Sequence, residues 1–183
     1  IPLTLLSVRR DAEFAVIEMG ANHQKEIEGY CRYALPTHGI ITNIGRAHLE
    51  GFGGPEGVKK GKGELYDHLR DNGGAAFVLR DSDDLRQMSR GIPHVITYGT
   101  NDADYIGRVA EPAIPTSPSP AGPSPATPEN ARTSTFLNVE IIKGATTGTI
   151  HTQLVGDYNL PNVLAAVAVA KHFGVPGGKI GKA

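Results

Sequence analysis

Apolar residues along the chain form short continuous runs that alternate with helical patterns. Four runs have the length and the β-rich composition of strands, and they lie at 14–20, 38–44, 75–81 and 94–100. The first run, FAVIEMG, is nearly all apolar, which is typical of a central parallel strand buried on both faces. Segments with a helical pattern lie between the runs, at 27–34, 55–69 and 83–90. This alternation predicts an α/β fold with a doubly wound, mostly parallel sheet flanked by helices.

The second half of the chain has a different pattern. After Thr100, three alternating segments follow one another without a helix between them, at 104–110, 135–142 and 148–155. Strands connected in this way predict a small antiparallel sheet added beside the main one. An alanine-rich segment then predicts a helix that opens at Asn159 or Leu160 and stops at Gly174.

Residues 112–131 form a proline-rich insert between the first two of these later strands. The stretch 112–128 holds 7 of the 13 prolines of the chain, a density that removes backbone donors and blocks both helix and sheet. We expect a flexible, polyproline-like loop. A PxxP ligand is the alternative, but this composition favours a tolerated surface insert.

The overall composition limits the class of protein. With 183 residues, 39% of them hydrophobic, the chain is long enough to bury a core. Its formal net charge of -1 gives no electrostatic reason to bind nucleic acid or an anionic membrane, so we expect neither partner. Cys31 is the only cysteine, which excludes an internal disulfide and a CxxC metal site. We therefore expect a cytoplasmic protein.

Two polar side chains follow predicted strands. Glu18 lies at the carboxyl end of the run 14–20, and His48 lies in the loop NIGRAHLEGFG that follows the next run. Open α/β folds bind ligands at the carboxyl ends of their parallel strands, so both side chains are candidates for a metal or substrate site. The alternatives are a paired structural charge for Glu18 and a structural histidine in a solvated turn.

A lysine shares the apolar face of the helix predicted from Pro55. Val58, Lys62, Leu65 and Leu69 are separated by four, three and four residues, which places them on one face. The plain explanation is that Lys62 extends along this face and reaches solvent at the helix edge. The functional explanation is that burial favours its neutral amine, which is a nucleophile toward substrates that include carbon dioxide.

Three segments together resemble the motifs of a known enzyme family. They are EMGANHQKEI (18–27), NIGRAHLEGFGGPEGVKKGKGEL (43–65) and GDYNLPNVLAAVAVA (156–170), and they are similar to motifs of the Mur ligases. The resemblance implies that residues 1–183 are the central ATP-binding domain of such a ligase. The sequences MGANH and AHLEGFG are most similar to those of the family members that join D-alanyl-D-alanine to UDP-N-acetylmuramoyl-tripeptide during peptidoglycan biosynthesis.

The resemblance also implies roles for individual residues. Glu18 would hold a magnesium ion that bridges the ATP phosphates, and His48 would help hold a second magnesium ion. Lys62 matches the lysine that is carbamylated in the family, a change that turns an amine into an oxygen ligand. These three residues are the predicted catalytic and metal-binding set. The predicted nucleotide-binding residues are Asn22, His23, Asn159 and Asn162.

Within this last set, the resemblance implies that Asn162 contacts the adenine, whereas Asn22 and His23 would lie near the phosphates or the substrate carboxylate. Tyr158 stands where the family more often has histidine, so no role is assigned to it.

The chain also departs from the family pattern. The family opens its central domain with a phosphate-binding loop, and no G-x-x-x-x-G-K-[ST] sequence occurs here. We therefore expect that loop upstream of Ile1 and the two flanking domains elsewhere, which would leave the chain an incomplete, monomeric domain that is inactive alone. The alternatives are another ATP ligase of the Mur or folylpolyglutamate type and a remnant that keeps the fold without catalysis.

Overall fold

A computed structural model of the chain describes residues 2–45, 49–110, 136–145 and 148–181. The chain forms two compact units, Ile1–Thr97 and Tyr98–Ala183. His48 and the proline-rich insert lie outside the described residues, so the predictions made for them stay predictions. Within the described ranges, no helix has both the length and the apolar character needed to cross a membrane.

The first unit contains five helices and two complete strands within the described residues. In chain order they are α1 (Pro2–Leu6), α2 (Glu26–Ala34), β1 (His38–Ile40), α3 (Leu49–Phe52), α4 (Pro55–Asp71), β2 (Ala75–Leu79) and α5 (Asp83–Met88). β1 and β2 are parallel, with His38 opposite Ala75. α4 lies against both strands and against α2 and α3, so it is the central helix of the unit.

Local sequence explains where these helices begin. Pro55 opens α4, where its missing N–H leaves no hydrogen bond unmade. Ser82 caps α5 by accepting a hydrogen bond from the backbone of Leu85 at 3.3 Å. The core of the unit lies between helices and strands, and its buried side chains are Ile41, Tyr66, Leu69, Ala76, Val78, Leu85 and Ile92.

A strand that begins in the first unit, β3 (His94–Gly99), ends in the second. The other elements of the second unit are β4 (Tyr105–Val109), β5 (Phe136–Lys143), β6 (Thr149–Val155), a 3-10 turn (Asp157–Asn159), α6 (Leu160–His172) and α7 (Gly177–Ile180). Tyr98 in β3 pairs in parallel with Tyr105 in β4, whereas β4, β5 and β6 are antiparallel. α6 lies on β4 and β5 and buries an apolar face made of Leu160, Val163, Leu164, Ala165, Val167 and Ala168.

The predicted fold class is confirmed. Six strands in the order β1-β2-β3-β4-β5-β6 form a mixed sheet, with parallel pairs among the earlier strands and the predicted antiparallel group at the end. Helices alternate with the earlier strands as the apolar pattern predicts. α6 also begins and ends within two residues of its predicted limits.

The predicted central strand at 14–20 is wrong. None of its residues is assigned to a strand, and no ladder among the described residues includes it. Val16 in its middle is 92% exposed. A strand needs hydrogen-bonding neighbours along its edges, and an apolar run without such neighbours does not form one. The strand predicted at 38–44 also ends early, at Ile40, where its pairing with Phe77 ends.

Candidate functional site

The first two motif segments meet in the first unit. The side-chain amide of Gln24 donates a hydrogen bond to the carbonyl oxygen of Phe52 at 3.1 Å. Gln24 belongs to the segment before α2, and Phe52 ends α3 in the segment after β1. The chain therefore brings together two stretches that are 28 residues apart in sequence.

Two glycines of α4 let this helix approach Phe52 closely. The ring of Phe52 is 3% exposed and lies against Gly61, where a Cβ atom would overlap it. A Cβ atom on Gly57 would overlap the carbonyl oxygen of Phe52, the same atom that accepts from Gln24. Because only glycine lacks a Cβ atom, this face of α4 can approach α3 closely.

Lys62 lies one position along the helix from this contact. Its Nζ donates a hydrogen bond to the backbone carbonyl of Asn43 at 2.7 Å. The side chain is half-buried beside Val58 on the predicted apolar face, and burial lowers the pKa of Lys62 because it disfavours the charged ammonium. Lys62 is thus joined to the start of the segment that leads to His48.

Asn22 and His23 are held by their backbones and expose their side chains. One carboxylate oxygen of Glu26 accepts from the N–H groups of Asn22 at 2.7 Å and His23 at 3.2 Å. The first of these bonds is the main reason that the pKa of Glu26 is lowered. The His23 side chain is 66% exposed, with its ring 3.4 Å from Glu26. This arrangement presents an amide and an imidazole to solvent from a fixed turn.

Glu18 is an exposed carboxylate in the segment that does not form a strand. Magnesium binds such carboxylates together with phosphate oxygens, so Glu18 has the chemistry that a magnesium site needs. The amine of Lys62 offers no oxygen and fits a magnesium site only after carbamylation. Among the residues that the structure describes, no group of three His, Cys, Asp or Glu side chains could hold a metal by itself.

In the second unit, Asn159 and Asn162 form a pair at the start of α6. The Asn159 amide donates to the carbonyl of Val155 at 3.0 Å, and the Asn162 amide donates to the side-chain oxygen of Asn159 at 3.1 Å. Neither side chain caps the helix, because α6 has no side-chain cap hydrogen bond. Asn162 is exposed, and so is the neighbouring Tyr158. The pair therefore presents an oriented amide to solvent.

Comparison with known proteins identifies the family. The family described as Mur ligase middle domain matches residues 1–170 of the chain. The chain belongs to this family. UDP-N-acetylmuramoyl-tripeptide--D-alanyl-D-alanine ligase of Haemophilus influenzae is 34% identical to this Mur ligase middle domain over 177 residues, which are 95% of the chain and 34% of that protein. The resemblance inferred from the sequence motifs is confirmed.

Solved structures share the fold of this Mur ligase middle domain. MurF from Acinetobacter baumannii matches it with a TM-score of 0.74 at 26% identity, over 99% of this chain and 36% of that one. MurF from Thermotoga maritima in complex with ADP matches with a TM-score of 0.71 at 23% identity, over 94% of this chain and 36% of that one. The chain thus spans about a third of the length of these relatives.

Sequence reasoning missed three residues that organise the first unit of this Mur ligase middle domain. They are Gln24, Phe52 and Glu64, and the last is a buried carboxylate on α4. A signal for Glu64 is present in the sequence, because Gly57, Gly61 and Glu64 are spaced by four and three residues and share one helical face. Glycines on one face of a helix indicate a close approach, and a carboxylate on that face is a candidate for burial.

Proposed function

We propose that this Mur ligase middle domain is the ATP-binding part of an amide ligase that joins D-alanyl-D-alanine to UDP-N-acetylmuramoyl-tripeptide. The observation that carries the proposal is the half-buried Lys62, whose Nζ is bound to Asn43 in the segment that leads to His48. The relatives support the substrate assignment, because the Haemophilus influenzae protein is named for this reaction. The ADP in the Thermotoga maritima structure supports a nucleotide site.

The chemistry of Lys62 begins with its lowered pKa. A larger neutral fraction of the amine is available to attack the carbon of carbon dioxide, and the nitrogen then loses a proton to give a carbamate anion. The carbamate oxygens would ligate the second magnesium ion together with His48, whereas the Glu18 carboxylate would ligate the magnesium ion at the ATP phosphates. Bound magnesium supplies positive charge that offsets the negative charge of the transferring phosphoryl group.

Three further side chains are proposed as nucleotide contacts. Asn22 and His23 would contact the phosphates or the substrate carboxylate, since their side chains are exposed on a turn that Glu26 holds in place. Asn162, oriented by Asn159, would hydrogen-bond the adenine. In the proposed reaction the γ-phosphoryl group moves from ATP to the tripeptide carboxylate, and ADP is the leaving group. The dipeptide amine then attacks the carbonyl carbon of the acyl phosphate and loses a proton, and phosphate leaves with the C–O electron pair.

The test of this proposal is Lys62→Ala in the full-length ligase. We expect a loss of activity of about 100-fold, because the substitution removes a metal ligand. Short carboxylic acids that fit the vacated space should restore part of the activity. Lys60→Ala is the matched control, since Lys60 is an exposed lysine on the same helix. Carbon-13 NMR with labelled bicarbonate should show a carbamate signal in the wild type and in Lys60→Ala but not in Lys62→Ala.

Full activity in Lys62→Ala, or in wild-type enzyme stripped of carbon dioxide and bicarbonate, would contradict the proposal. Lys62 would then be a lysine that packs its aliphatic stem on the helix face and reaches solvent with its amine.

A further inference from the structure

Glu64 is a buried carboxylate that bonds to the backbone of another helix. It lies on α4 and is 8% exposed. One of its oxygens accepts from the N–H of Lys25 at 2.6 Å, and the other accepts from the N–H of Glu28 at 2.9 Å. Both oxygens therefore hold the first turn of α2 and the residue just before it.

These two bonds replace a cap that α2 does not have. The first backbone N–H groups of a helix have no partner inside it, and a side chain at the N-cap position usually satisfies one of them. The N-cap residue of α2 is Lys25, whose side chain makes no capping bond and whose φ of 72° is in the left-handed region. Such a φ is unfavourable for a residue with a side chain, and the bond from its N–H to Glu64 helps to hold it.

The same turn carries residues of the proposed site. Lys25 directly follows Gln24 and lies two positions after His23. Glu26, the first residue of α2, accepts the N–H groups of Asn22 and His23. Glu64 is thus connected to Asn22 and His23 through the backbone of Lys25 and the carboxylate of Glu26.

We propose that Glu64 is a positioning residue that fixes the turn bearing Asn22 and His23 for nucleotide binding. This inference rests on the proposed function, which places those two side chains at the nucleotide phosphates or the substrate carboxylate. α4 holds both motif segments at neighbouring positions: Lys62 bonds to Asn43, and Glu64 bonds to the start of α2. The helix that presents the candidate metal-binding lysine thereby also orients the candidate phosphate-binding turn.

The test compares three substitutions on α4 of the full-length ligase. Glu64→Gln keeps the shape of the side chain but replaces one acceptor oxygen with an NH₂ group, which cannot accept from a backbone N–H. Leu69→Ala is the matched control for stability, because Leu69 is fully buried on the same helix and lies in the core. Glu56→Gln, at a carboxylate whose side chain is 86% exposed, controls for the loss of charge.

In Glu64→Gln we expect the KM for ATP to rise about tenfold and the KM for D-alanyl-D-alanine to change by less than about twofold. Deuterium exchange of the backbone amides at 22–28 should become faster. Leu69→Ala should lower the melting temperature while leaving the KM for ATP and the exchange at 22–28 near their wild-type values. Glu56→Gln should change none of these quantities.

The inference is overturned if Glu64→Gln leaves exchange at 22–28 unchanged, or if its KM for ATP shifts no more than that of Leu69→Ala. Asn22→Ala, measured in parallel, separates this inference from the proposed function. An unchanged KM for ATP in Asn22→Ala would remove the nucleotide role of Asn22, whereas exchange in Glu64→Gln reports on the positioning of the turn by itself.

Discussion

The helices α4 and α6 carry candidate site residues in opposite ways. α4 removes two of its polar groups from water, with Glu64 buried and Lys62 half-buried. α6 buries only apolar side chains and presents Asn162 to solvent at its first turn. In α4 the candidate functional groups lie on the surface that packs against other elements. In α6 the exposed amide is separate from the buried apolar face.

This difference has a physical consequence. A buried polar group depends on the fold around it, because desolvation changes its pKa and a lost partner leaves it unsatisfied. An exposed amide such as that of Asn162 keeps its hydration when no ligand is bound, so its removal costs the fold little. Substitutions of Glu64 and Lys62, the polar groups that α4 removes from water, should therefore change stability and function together, and substitutions at the start of α6 should change function alone.

The largest effect is expected for Gly57→Ala, which adds a methyl group where the carbonyl oxygen of Phe52 already lies. We expect the free energy of unfolding to fall by about 1–3 kcal/mol, because the helix and the 51–54 segment must move apart. Urea denaturation of the chain would measure this change. Separation should also break the bond from Gln24 to Phe52.

Gly63→Ala is the control on the same helix. A Cβ atom there would meet only the end of Met88, at an ordinary distance of 3.4 Å. Alanine in the helix interior should then raise stability by about 0.5–1 kcal/mol. Equal effects at positions 57 and 63 would show that α4 does not depend on the close approach at Gly57.

Asn162→Ala should change function without changing stability. We expect ATP binding by the full-length ligase to weaken about fivefold, as for the loss of one hydrogen bond, with a change in stability below about 0.5 kcal/mol. Isothermal titration and thermal melting would measure the two quantities. Tyr158→Phe, at the adjacent exposed turn, should change neither. Unchanged affinity together with a stability loss of about 1 kcal/mol would instead indicate that Asn162 has a structural role, through its bond to Asn159.

A smaller effect is expected at Cys31 in α2, which is 1% exposed. Burial, together with the negative charge of Glu64, raises the pKa of Cys31 from 9.0 to about 11. Above pH 9 the unfolded chain loses the thiol proton while the folded chain keeps it, so this contribution to stability is complete below pH 9 and is lost as the pH rises to about 11.

The unfolding free energy of Cys31→Ala should therefore fall less than that of the wild type as the pH rises through this range. At about pH 10 the two losses should differ by about 1 kcal/mol. Denaturant unfolding at several pH values would measure it. The pKa of Tyr98 is also raised by burial, to about 12, but that contribution is common to both proteins and cancels in the comparison. Parallel curves for the two proteins would show that the Cys31 thiol titrates alike in the folded and unfolded states.

Much of the fold could be predicted from local patterns. Apolar spacing predicted α2, the apolar face of α4, and the change to antiparallel strands after Thr100. The pattern failed at 14–20, because apolar residues indicate a tendency to be buried and do not specify a pairing partner. It also missed α3, whose four residues are too few for a helical period to be visible.

The candidate site could likewise be predicted only in part. Three ordered motifs were enough to identify the family. Helical spacing, which is a property of the local backbone, was enough to place Lys62 on one face with Val58 and Leu69. The bond between Glu64 and Lys25, 39 residues away, and the bond between Gln24 and Phe52 could be found only from the folded chain. Such contacts depend on which helix faces pack together, and a carboxylate in a helical pattern has the same local signature whether it faces water or a neighbouring backbone.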